Sequence, residues 1–227
     1  VINFDIKIDQ EELDREVRKL TANQVRPILD KVAKQTQSAC RAAFRKEIMN
    51  RVEYAALFRT SPSNYSLGAQ LGLENPNGMV NPIVEAAASG IEVSPLAVRG
   101  KGPKTVDFGG IQVIFRPQNL WYLTDLIGSS YTSTSKRGSY IIDWLGWLLF
   151  SGTNVVVLDY YVKFGTGSPN SRTGDAVMIH DPKKARNFRI HSVYAGTAND
   201  NWITRAAKKA APKIQRIIEK AIEKAFQ

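Results

Sequence analysis

The spacing of apolar residues changes twice along this chain, and those changes limit the fold more than any other feature. From Glu11 to about residue 50, apolar side chains recur mostly at steps of three and four. Leu13, Val17 and Leu20 are followed by Val25, Ile28, Leu29, Val32, Cys40, Phe44 and Ile48. This spacing predicts a long amphipathic helix, with Pro27 either kinking it or opening a second helix near residue 23. The middle of the chain alternates instead, as in Ile111, Val113 and Phe115, which is the period of half-buried strands. From Ile203 the helical period returns through Ala206, Ala210, Ile214, Ile217, Ile218, Ala221 and Ala225. Helix, then strands with short helices, then helix predicts an α+β fold. Its antiparallel sheet is packed by a long N-terminal helix and a C-terminal amphipathic helix. No internal repeat or linker divides residues 1–227, so one domain with a helical arm at about 10–50 is expected.

Local punctuation refines this frame. Ile2, Phe4, Ile6 and Ile8 alternate with polar residues as a short strand. A short helix is expected over 64–71, and Asn81-Pro82 offers a helix start with Asn as cap. Strands are read at 91–93, 110–116, 155–164, 176–180 and 187–193, and a buried helix at 139–150. Two segments rich in Gly, Ser, Thr and basic residues, near 99–104 and 128–138, are expected to be mobile loops. Asn199-Asp200 can cap the last helix, which runs to about Ala225 and contains Pro212.

Several classes are excluded by simple counts. One cysteine, Cys40, allows no intrachain disulfide, and two histidines with one cysteine make a poor zinc set. Cys40 lies on the apolar stripe and reads as a buried thiol. The most apolar run, residues 140–150, is half the length of a membrane span and contains Asp143. No secretory signal is recognised, and the expectation is a soluble protein made in a reducing cytoplasm.

The charge is +10 and uneven: residues 183–227 carry eleven Lys and Arg against three acids. Arg205, Lys209, Lys213, Arg216, Lys220 and Lys224 are spaced three or four apart and form one stripe beside the apolar face. If the helix is unbroken the stripe is about 28 Å long. It is either a solvated face or a surface for phosphate or an acidic partner. Neutralising six phosphates gives a salt slope of about −5. Arg99, Lys101 and Lys104 form a second basic element in a flexible loop. No aromatic side chains interleave with the stripe, so any nucleic-acid contact is expected to be with the phosphate backbone, without base reading.

No catalytic, cofactor or metal constellation is found. His180 and His191 read as ordinary strand residues, and no Ser or Cys stands in a nucleophile elbow. Gly165-Thr166-Gly167 follows a strand but lacks the third glycine and the helix of a dinucleotide site. Trp144, Trp147, Phe150, Tyr160, Tyr161 and Phe164 read as core, with part of the cluster open to a subunit interface.

Four segments together carry a family resemblance. They are Ser66-Leu-Gly-Ala-Gln-Leu-Gly-Leu73 with Pro76; Trp144 to Gly152 running into Asp159 to Gly165; Gly167 through Arg172 and Gly174 to Ile179; and Tyr194 to Ala206. The chain resembles the neck and tail-completion (head–tail joining) structural proteins of long-tailed bacteriophages over roughly residues 60–226. The matching positions are Phe164, Gly165, Thr166, Arg172, Gly174, Gly196, Thr197, Asp200 and Asn201. The resemblance implies a non-enzymatic virion protein, assembled in the host cytoplasm, that forms homo-oligomeric rings of six or twelve copies. Its neighbours would be connector, neck or tail-tube proteins, with DNA backbone in the channel. It leaves open which storey of the neck the chain occupies. The alternative reading is a basic, non-specific nucleic-acid-binding protein acting as monomer or dimer.

Overall fold

The computed structural model describes residues 10–59, 65–96, 99–100, 106–107, 110–115, 120–135, 138–165, 170–184 and 186–227. The strand read at 2–8, Lys101, Lys104 and Thr166 lie outside them. The class is α+β, and the strand content is spread over four two-stranded sheets. The chain forms two compact units: Val1–Cys40 with Ile91–Ile114 and Ile214–Gln227, and Arg41–Gly90 with Phe115–Lys213.

In the first unit, helix α1 (Gln10–Met49) contributes its part up to Cys40. Pro27 lies within this helix without ending it. Both Pro27 and Asn23, whose carbonyl loses its helical partner, are exposed, so water can satisfy that group. Leu29, Val32, Ala33 and Cys40 are buried, as the helical period predicts. Burial also pushes the Cys40 thiol above its ordinary pKa, which keeps it unreactive. Thr36, buried on the same stripe, donates its hydroxyl to the Val32 carbonyl at 2.8 Å.

Strands β1 (Ile91–Leu96) and β4 (Gly110–Phe115) pair, as do the short β2 (Arg99–Gly100) and β3 (Val106–Asp107). Gln37 acts as a surrogate strand along β1. Its Nε2 donates to the Ile91 carbonyl at 2.6 Å and its Oε1 accepts from the Val93 amide at 2.8 Å. Ile214 and Ile218, from the second half of the last helix, belong to this unit and are buried.

The second unit holds most of the core. Short helices α2 (Val52–Leu57) and α3 (Leu67–Gln70) precede α4 (Pro76–Ser89). The expected start of α4 at Asn81-Pro82 is corrected by six residues. Asn75 is the cap, accepting from the Gly78 amide at 3.0 Å, and Pro76 follows it. Two Asn-Pro pairs carry the same local signal, and only the first has chain before it that leaves the helix. Pro82 lies within α4, exposed.

Helix α5 (Trp121–Thr124) leads into a hairpin of β5 (Tyr131–Ser135) and β6 (Gly138–Ile142). The segment read as a loop near 128–138 is thus largely strand, with Tyr131 opposite Ile142 and Thr134 opposite Ser139. The helix read at 139–150 is shortened to α6 (Trp144–Phe150) because Asp143 caps it, accepting from the Gly146 amide at 2.9 Å.

Strands β7 (Tyr160–Phe164) and β8 (Ala176–His180) form an antiparallel pair. The expected strand 155–164 is halved because Asp159 has φ of 58° and turns the chain. Its amide is held by Asn187 Oδ1 at 3.0 Å. The strand read at 187–193 reduces to a single bridge between Phe188 and Val157. Helix α7 (Trp202–Ala225) closes the chain and runs through Pro212. Trp144, Leu145, Leu148, Phe44 and Trp202 are at the centre of this unit's core. Of the other aromatics read as core, Trp147, Phe150, Tyr160, Tyr161 and Phe164 are half-buried.

Candidate functional site

The motif residues before α7 build the end of that helix. Asn201 is the cap: its Oδ1 accepts from the amides of Ile203 and Thr204, both at 3.1 Å. Thr204 Oγ1 accepts from the Asn201 amide at 2.9 Å, so donors are satisfied in both directions. Asn201 Nδ2 reaches back to the Thr197 carbonyl at 2.9 Å, and the Thr197 amide donates to the Asp200 carbonyl at 2.9 Å. Gly196 leaves no room for a side chain, since a Cβ there would be 2.5 Å from the Leu148 carbonyl oxygen. This string is therefore explained by a tight helix entry against α6.

Arg205 is the first cation of the sequence stripe, and the fold turns it inward. Its guanidinium grips Asp200 with two bonds, at 3.0 and 2.9 Å, and donates to Glu53 at 3.0 Å. Glu53 is fully buried and also receives Arg51 at 3.2 Å. The hydrogen bonds from Arg205 hold the Asp200 carboxyl below the usual carboxylate range, and desolvation opposes them. A buried carboxylate between two arginines and a bidentate grip form one charged knot that ties α2 to the start of α7.

The rest of the stripe divides residue by residue. Lys213 pairs with Glu47, a carboxylate only 8% exposed. Lys209, Arg216, Lys220 and Lys224 are exposed and make no salt bridge among the described residues. Arg99 lies in β2.

A second cluster joins motif segments that are distant in sequence. Tyr131, the first residue of β5, donates its hydroxyl to the Leu71 carbonyl at 2.9 Å. The Arg172 guanidinium lies 3.9 Å from the centre of the Tyr131 ring, and Arg172 pairs with Glu74 at 3.1 Å. Burial raises the pKa of the Tyr131 hydroxyl, while Arg172 acts against that shift. Gly72, with φ of 68°, gives the turn that lets this hydroxyl approach. Gly165 and Gly174, with φ of 142° and 84°, flank the ends of β7 and β8, and Phe164 pairs with Ala176.

These clusters hold the fold, and the two histidines are engaged nearby. His191 Nδ1 accepts from the Val193 amide at 3.3 Å, and His180 packs on Tyr160 with ring centres 5.0 Å apart. Among the described residues, no group of acids, His and Cys is placed to hold a metal. A cleft of about 160 Å³ lies between Leu57, Gly68, Glu74 and Arg172, below the size of typical small-molecule sites. No helix of the described residues is long and apolar enough to cross a membrane. Sequence reading missed Glu53, Glu47, Tyr131 and Glu74. An isolated Glu in a surface-like pattern gives no local sign that a distant Arg or Lys will bury with it. No family model matches the chain, and no curated protein and no solved structure matches it.

Proposed function

We propose that the chain is a non-enzymatic virion structural protein, a ring-forming subunit of the neck and tail-completion region that joins a phage head connector to the tail. The observation that carries this reading is that all strand pairing among the described residues is two-stranded. A two-stranded hairpin is marginal in water on its own, and open edges are templates for further strands. A subunit whose sheets are completed by neighbours fits a ring. The motif segments that resemble neck proteins form helix caps and clamps, which suits a protein whose work is holding shape. Light scattering at low and high salt tests the reading. We expect a six- or twelvefold assembly in at least one condition. A chain that remains monomeric or dimeric throughout and binds DNA overturns it in favour of the nucleic-acid alternative.

The exposed cations of α7 support phosphate contact, either in a channel or as that alternative. Lys213 and Arg205 are engaged by carboxylates, so the relevant set is Lys209, Arg216, Lys220 and Lys224. Reversing three of these to Glu should lower the salt slope of DNA binding by about one per contact removed. An unchanged slope would mark the stripe as a solvated face. Lys213 is left intact in this variant because its loss would strand Glu47.

A further inference from the structure

The cleft beside the Tyr131 cluster has the size and chemistry of a socket for one side chain. Three segments meet there: the end of α2 at Leu57 and Phe58, the turn between α3 and α4 at Leu73 and Glu74 with Pro76, and Arg172 to Asp175 before β8. Its volume is about 160 Å³. A cavity of about 150 Å³ holds a benzene ring, so this one takes one large side chain while the backbone that carries it stays outside. Leu57 and Leu73 are buried, and with Phe58 and Pro76 they give the cleft an apolar wall.

Four charged residues also line it: Arg59, Glu74, Arg172 and Asp175. Arg172 and Glu74 pair at 3.1 Å, and Arg172 is further held over the Tyr131 ring. The charge of Arg59 acts on the Tyr194 hydroxyl, countering the rise in pKa that burial causes there. Asp175 differs. Its amide donates to Thr173 Oγ1 at 3.3 Å and its carbonyl accepts from the Gly165 amide at 3.0 Å. Its carboxylate has no hydrogen bond or ion pair among the described residues. Asp175 is half-buried, and withdrawing a carboxylate from water without a partner is unfavourable. In a chain of 31 basic and 21 acidic residues, cations are in excess, yet the fold assigns none to this acid.

We infer that the cleft is a docking socket for an arginine side chain of a partner polypeptide. The methylene stem lies along Leu57, Phe58, Leu73 and Pro76, and the guanidinium pairs with Asp175. Charge selects a cation over an anion: Arg172 is already neutralised by Glu74, and an incoming carboxylate would be set against Asp175. Arginine suits the socket better than lysine, because its planar fork matches a carboxylate and is more weakly hydrated. Glu74 and Arg172 are partly exposed, so the partner reaches the mouth from solvent. Arginines that fill such pockets are enriched among the residues that dominate binding energy at interfaces. The inference goes beyond the ring reading, and the two stand or fall separately.

The test titrates the full chain, labelled at its leucine methyls, with N-acetyl-arginine methylamide. This probe carries the side chain without the charges of a free amino acid. The Leu57 and Leu73 methyl signals report on the cleft, and methyl spectra remain readable in a large assembly. We expect saturable shifts of both signals at millimolar probe, the range for a ligand of this size. Asp175→Asn should weaken binding about tenfold or more, the loss expected for a charge-assisted bond. Its own structural bonds come from the backbone, so unchanged methyl positions in the free variant check that the fold is kept. On the unaltered chain, N-acetyl-leucine methylamide should give no saturable shift. The socket is overturned if the arginine probe leaves both signals unmoved, if Asp175→Asn binds it equally well, or if the leucine probe binds as tightly. Spermidine binding more tightly than the arginine probe would assign the cleft to a free polyamine and overturn the polypeptide partner. None of these outcomes touches the ring reading, which light scattering decides.

Discussion

A Gly68→Ala variant should lose about 3 kcal/mol of stability or fail to accumulate as folded protein. An added Cβ at this position would lie 2.2 Å from the Leu57 carbonyl oxygen and 3.1 Å from its carbon. Overpacking in a well-packed core costs about 1–3 kcal/mol, occasionally more. The upper end applies because the obstacle is backbone and cannot rotate away. Gly68 also lies in α3 between buried Leu67 and Ala69, and its own carbonyl accepts from Leu73 at 2.9 Å. Movement of α3 would therefore disturb the turn that carries Gly72 and the Tyr131 clamp. The gain in helix propensity from Gly to Ala, about 1 kcal/mol, does not offset this. Gly110→Ala is the control: nothing lies within 4 Å of its Cβ position and its φ is not in the left-handed region. We expect its effect to stay within about 0.5 kcal/mol. Urea unfolding of the two variants checks both, and a mild Gly68→Ala phenotype would mean that α2 and α3 are not in the close contact described.

Replacing Arg205 with methionine should cost a similar amount, about 3 kcal/mol. Glu53 is fully buried, and Arg205 is one of two cations that satisfy it. Removing one partner of a buried pair costs about 3–5 kcal/mol, because the remaining charge is left without compensation. The lower value applies here because Arg51 remains and Arg205 is itself a quarter exposed. A Glu53→Gln/Arg205→Met double variant should recover part of the loss, which a double-mutant cycle measures.

The same variant carries a pH signature. The folded-state pKa of Asp200 is depressed, first by the hydrogen bonds from Arg205. A depressed carboxylate stabilises the fold above its unfolded pKa of about 3.9, and that stabilisation is lost as pH falls through the folded value. The gap between wild type and Arg205→Met should therefore narrow below about pH 4. A gap independent of pH would show that Asp200 takes no part in the knot.

Much of the fold was legible in the residues because it follows from short-range spacing. The period of three and four between Val25 and Ile48 placed α1 and its buried side, and the C-terminal period placed α7. Alternation marked β4, and the run Ala176–His180 marked β8. Errors arose where one local signal had two readings. Asn75-Pro76 and Asn81-Pro82 are equivalent helix starts by chemistry. Val155 to Leu158 has the composition of a strand, and only the turn at Asp159 ends it. Gly128 to Gly138 is poor in apolar residues and looks like a loop, yet cross-strand pairing makes much of it a ladder.

By itself, then, the sequence determined the α+β class, the two long helices, a lone cysteine with none to pair with in these residues, and the existence of a cationic stripe. Each depends on composition or on contacts within a turn or two of the chain. Tertiary structure decided which charges on that stripe are spent inside the protein, because Glu53 and Glu47 are 152 and 166 residues from their partners. It likewise decided which glycines are indispensable, since the folded chain brings the Leu57 backbone against Gly68 and nothing within 4 Å of a Cβ at Gly110. Burial and close approach arise between segments that the order of residues does not place together, and only the folded chain brings them into contact.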